Sequence, residues 1–118
     1  FEFLGAVKDP GDWMARADLL VMPSLLESYG LTYYEGMAVG CPLVVSDRDF
    51  AREACGDAAR YASPHSPEEF ARQVADVLTS PGLPKTLSRR AHRRYDQSRV
   101  TWGQVAASYR KILVELTK

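Results

Sequence analysis

The sequence predicts an α/β protein: a parallel β-sheet with helices on both faces. Three observations point there. Short apolar runs, Leu19 to Met22 and Pro42 to Val45 leading into Ser46, are bounded by turn residues, as in strands buried on both sides. Segments with apolar residues three and four apart alternate with those runs. The connections carry helix start and stop signals, such as Ser66-Pro67-Glu68-Glu69, and Gly40 followed by Pro42. Alternating strands and helices give parallel strands joined by crossover helices.

Taken in order, residues 1–4 are a candidate strand, followed by Gly5 and a loop over residues 8–11. Asp9 before Pro10 reads as an N-cap and first helical position, with Trp13, Met14 and Ala17 facing inward. The strand at 19–22 ends at Pro23. Gly30 then opens a helix in which Leu31, Tyr34, Met37 and Ala38 recur at helical spacing until Gly40 and Pro42 stop it. Residues 42–46 form a buried strand, residues 47–54 a loop and short helix bearing Glu53, and residues 60–62 a further short strand after Gly56-Asp57.

Three helices complete the chain. The first has a capping box at Ser66 and a stripe of Phe70, Val74, Val77 and Leu78, ending at Pro81-Gly82. The second spans about residues 84–95, with Leu87, Ala91 and Tyr95 inward. The third starts at Thr101, with Gln104 three residues on. Its stripe of Trp102, Val105, Tyr109, Ile112, Leu113 and Leu116 is read as core, with docking on another domain as the alternative.

The bulk properties narrow the function. At 118 residues, 46% hydrophobic and 25% charged, the chain suits one domain with a modest core. It has no run of 18 apolar residues, no signal-peptide pattern and no low-complexity tract. It opens on Phe1 inside an expected strand, and so reads as a piece of a longer protein. The zero formal charge hides a separation: 13 acids and 6 bases up to Pro84, then 2 acids and 9 bases. Arg89, Arg90, Arg93, Arg94 and Arg99 are read as a helix face complementing an acidic neighbour. The alternatives are contact with anionic lipid or phosphate, and nucleic acid is disfavoured because aromatic residues do not interleave with them in a base-stacking pattern. Cys41 and Cys55 lack the spacing of a zinc site or a disulfide framework, and are read as reduced core residues. His65 and His92 lie in loop or surface contexts and are not read as catalytic bases.

The chemistry concentrates in residues 23–47. Glu27 lies between the strand at 19–22 and the following helix, where ligands of parallel sheets bind. The amides of Tyr29, Gly30, Leu31 and Thr32 are the open donors of a helix N-terminus, which attracts anions, and Gly30 lets a ligand approach the backbone. At about 100° per residue, Glu35 falls between Leu31 and Val39, inside the apolar arc, where a buried carboxylate needs partners. A capped strand–loop–helix unit that binds nothing is the alternative.

The ordered pattern Ala17-Asp18, Pro23-Ser24, Glu27 and Glu35, then Glu53, Gly56-Asp57-Ala58, Ser63-Pro64, a capped helix and Thr101-Trp102, resembles the nucleotide-binding half of the retaining GT-B glycosyltransferases. Within these it resembles the large family 4 group, whose signature includes E-x7-E. The resemblance covers nearly the whole chain. It implies that residues 1–118 are the C-terminal part of a Rossmann-like, nucleotide-sugar-binding domain, with the acceptor domain and the family's basic Arg and Lys lying upstream. It further implies that Glu27 faces the hydroxyls of the transferred sugar as the catalytic-site carboxylate, and that Glu35 holds the ribose hydroxyls. Ser28, Tyr29, Gly30, Leu31 and Thr32 would line the donor sugar and diphosphate. Ser28 replaces the usual Gly, Tyr29 the usual Phe, and Gly36 the usual Ala.

By the same resemblance the partners are a nucleotide-diphosphate sugar and an acceptor of unassigned identity. Neither metal nor cofactor is expected, the setting is cytoplasmic with peripheral membrane contact left open, and the chain alone is expected to transfer nothing. A nucleotide-sugar epimerase and a non-catalytic nucleotide-binding or interaction module on the same scaffold are the other readings.

Overall fold

The structure, a computed structural model, describes all 118 residues. Its centre is a three-stranded parallel sheet in the order β1-β2-β3, made of β1 (Leu20–Met22), β2 (Leu43–Ser46) and β3 (Ala59–Ala62). Leu20 pairs with Leu43, and Val45 with Tyr61. Every residue of β2 is buried, as an uninterrupted LVVS run in the middle of a parallel sheet requires.

Helix α1 (Pro10–Arg16) precedes the sheet, α2 (Leu31–Ala38) crosses from β1 to β2, and α3 (Asp49–Cys55) with a 3-10 turn at Gly56–Ala58 crosses from β2 to β3. Helices α4 (Pro67–Thr79), α5 (Leu83–Ser98) and α6 (Trp102–Leu116) follow. Successive residues of β2 point to opposite sides of the sheet. Leu43 and Val45 join Tyr33 and Met37 of α2, Ala51, Ala54 and Cys55 of α3, and Ala91 of α5 in one apolar cluster. Val44 joins Ala62, Phe70 and Val77 of α4, and Leu87 of α5 in another. Both faces of the sheet are therefore covered, with α5 contributing to each layer.

The helix signals are realised locally. Asp9, Ser66 and Thr101 all accept a bond from the amide three residues on, and Thr101 with Gln104 completes a capping box. At Ser66 only half the box forms, because the Glu69 carboxylate turns to the amide of Ser63 at 3.0 Å. The basic face of α5 does complement an acid: Arg93 donates to Asp57 at 2.8 Å, and Arg90 approaches the same carboxylate at 3.6 Å. Arg94 is absorbed differently, donating to the backbone carbonyls of Ala54 and Glu53. Cys41 and Cys55 are free and buried.

Four expectations are corrected. Residues 1–4 form no strand: a strand exists only within a ladder, and β1 pairs with β2 alone. Trp13, Ala17 and Leu78, expected to face inward, are exposed, and Trp13 carries the Arg16 guanidinium 5.0 Å above its ring. No residue of α6 is buried, and its apolar stripe from Trp102 to Leu116 faces outward, so this helix is not part of the core. The outlying helix accompanies an elongated outline of 58 × 31 × 29 Å. Lastly, the inward face of α2 is Tyr33, Gly36 and Met37, not the arc containing Leu31 and Glu35.

Candidate functional site at the carboxyl end of the first strand

After Met22 the chain leaves the sheet, and the loop over residues 23–30 carries Glu27 to the start of α2. Ser24 holds that carboxylate in place, its Oγ donating to Glu27 Oε1 at 2.8 Å. A carboxylate held on one oxygen by a short local bond keeps its other lone pairs for a ligand. Beneath the loop lies Tyr33, fully buried, with its hydroxyl unpartnered. Burial raises the pKa of this phenol, the Ser24 hydroxyl beside it works against the rise, and the Glu27 charge adds to it.

Gly30 is the hinge between loop and helix. It has φ +70° and ψ +48°, and a Cβ placed there would meet the Tyr33 ring at 2.5 Å. Only glycine satisfies both conditions. No side chain caps α2, and no backbone or side-chain acceptor serves the amides of Tyr29, Gly30, Leu31 and Thr32. These donors are open at the positive end of an eight-residue helix.

Each expected site residue can be placed on this frame. Glu27 is half-buried, Gly30 buried and Thr32 half-buried, while Ser28, Tyr29, Leu31 and Glu35 are exposed. Glu35 thus stands one turn along α2 on the solvent side and needs no buried partner. Tyr29 stacks on Tyr34 with ring centroids 5.4 Å apart. Together with Ser28, Phe50, Glu53 and Ala54 they line a cleft of about 220 Å3. Burial raises the pKa of Tyr34, as does Tyr29, with Arg94 opposing. The loop with Glu27 and the open amides therefore lie together at the carboxyl end of β1, and Glu35 stands apart from them, one turn along α2.

Sequence reasoning missed Tyr33 and Phe50. Tyr33, Met37 and Gly40 recur at the same helical spacing as Leu31, Tyr34 and Ala38, so spacing alone does not choose between the two faces. No group of three His, Cys, Asp or Glu side chains comes together as a metal site would require.

Comparison with known proteins gives the family and the fold. Residues 1–80 match the family described as glycosyl transferases group 1. The chain belongs to that family. Among similar curated proteins, a D-inositol 3-phosphate glycosyltransferase of Streptomyces bingchenggensis is 31% identical over 106 residues, covering 88% of this chain and 23% of the relative. One from Thermobispora bispora is 32% identical, covering 88% of this chain and 24% of the relative. The chain therefore spans about a quarter of the length of these relatives. In architecture it is similar to a sucrose-phosphate synthase from Thermosynechococcus elongatus, with a TM-score of 0.74 at 22% identity over 89% of this chain and 27% of that one. The parallel sheet layered by helices is thus the α/β fold of part of a GT-B glycosyltransferase.

Proposed function

We propose that this chain is the C-terminal part of the donor-binding domain of a retaining, family 4 type hexosyltransferase, and that the loop and helix from Glu27 to Glu35 hold a nucleotide-diphosphate sugar. The observation that carries the reading is the Glu27 carboxylate, oriented by Ser24 beside the open amides of Tyr29 to Thr32. Hydroxyl-rich and anionic portions of one ligand suit those two groups: a carboxylate accepts from sugar hydroxyls, and the amides with the helix dipole behind them face the diphosphate. Glu35, exposed one turn further on, is within the same helix face as a solvent-side ribose would be, and accepts its hydroxyls.

In the whole enzyme Glu27 positions the transferred sugar, and the diphosphate leaving group is neutralised by amides and basic side chains without a metal. The uncovered stripe of α6 is read in the same way, as a helix returning to the acceptor-binding domain. No helix is long and apolar enough to cross a membrane. The protein is proposed to work in the cytoplasm, and the acceptor named for its relatives, inositol 3-phosphate, is the first to assay.

The test compares Glu27→Ala with wild type by calorimetric titration of UDP-glucose and of UDP. The variant should lose affinity for the sugar nucleotide and keep its affinity for the bare nucleotide. Equal losses for both ligands would remove Glu27 from the sugar.

A further inference from the structure

Away from Glu27, the carboxyl ends of β2 and β3 open onto a polar hollow of about 340 Å3 lined by Asp47, Arg48, Ser63, Pro64, His65 and Glu69. Its charges are unevenly matched. Asp47 is bound through both oxygens by Arg52, at 2.5 and 2.8 Å, a bond that also holds its carboxyl below the ordinary aspartate pKa. Glu69 is engaged by the Ser63 amide. Arg48 has neither kind of partner: it forms no ion pair with any carboxylate. Its Nη2 lies 3.5 Å from Nε2 of exposed His65, and its Nε is buried with no acceptor at all.

A guanidinium N–H shielded from water without an acceptor is costly. The fork of N–H groups along one edge of a guanidinium matches the paired oxygens of a carboxylate or phosphate. An anion seated on that edge supplies the missing acceptor for Nε, and the His65 ring can turn an N–H toward the same anion. We propose that Arg48 and His65 form a second, oxyanion-binding site at this end of the sheet, taking a phosphate or carboxylate group. It stands independently of the donor reading, because none of its residues belongs to the Glu27–Glu35 segment.

The test is an NMR titration of the isotope-labelled chain with sodium phosphate and, separately, sodium acetate, each against sodium chloride at matched ionic strength near neutral pH. Saturable shifts at Arg48 Nε–H, the His65 ring and the Ser63 amide are expected with at least one oxyanion and not with chloride. Tighter binding of phosphate assigns a phosphate group, and tighter binding of acetate a carboxylate. Arg48→Gln should weaken binding about tenfold or more, Arg48→Lys should restore only part of it, and the β2 amides should keep their positions as the check on folding. Shifts that track ionic strength alone, or an Arg48→Lys or Arg48→Gln protein that binds as wild type does, would overturn the assignment.

Discussion

Gly30 carries two constraints at once, a left-handed backbone and a ring in the space where a Cβ would stand. Gly30→Ala is therefore expected to destabilise the fold by more than about 1 kcal/mol, through backbone strain and displacement of Tyr33. Chemical denaturation measures it, and a stability equal to wild type would mean the loop relaxes freely. Glu35 makes the opposite case. Exposed and without a partner, it contributes little to folding, so Glu35→Ala should leave stability within about 0.5 kcal/mol. Nucleotide binding should nevertheless weaken by about 1 to 3 kcal/mol, the value of a charge-assisted hydrogen bond. Calorimetry with UDP, GDP and ADP checks it, and an undiminished affinity would remove the ribose role.

At the scale of elements, α5 ties the two sides of the sheet together, with Leu87 in one layer and Ala91 in the other. Leu87→Ala should cost about 2 to 5 kcal/mol, a large share of the stability of a domain this size, and thermal unfolding will show it. The caps at Asp9, Ser66 and Thr101, and the buried run of β2, were legible because each depends on residues within a few positions of one another. Residues 1–4, the rotation of α2 and the fate of α6 were not. A short segment such as Phe1-Glu2-Phe3-Leu4 becomes a strand only if a neighbour offers a ladder, and a stripe says that a helix has an apolar side without saying what covers it. Glu35 was misplaced for the same reason: α2 has Leu31 and Tyr34 on one side and Tyr33 and Met37 on another, and only contact with Leu43 and Val45 decides between them.

The molecule as a whole is a layered sheet, elongated by one helix that lies outside it. Because α6 has no buried residue, Leu113→Asp should leave the thermal midpoint of this chain nearly unchanged, with an effect within about 0.5 kcal/mol. A fall of many degrees would show that α6 does support the sheet. The turn at Gly30 and the place of Glu27 between β1 and α2 were legible in the sequence. What the sequence did not disclose was the Ser24 bond that orients Glu27 and the buried Tyr33 beneath it, since both depend on how the loop folds back over α2. The most direct test of the donor reading is an amide-shift titration of the labelled chain with UDP, GDP and ADP in turn. Shifts centred on residues 27–36, saturating with one of these nucleotides and weakened in Glu35→Ala, are the expected result. Saturable shifts centred elsewhere on the chain, with residues 27–36 unmoved, would contradict it.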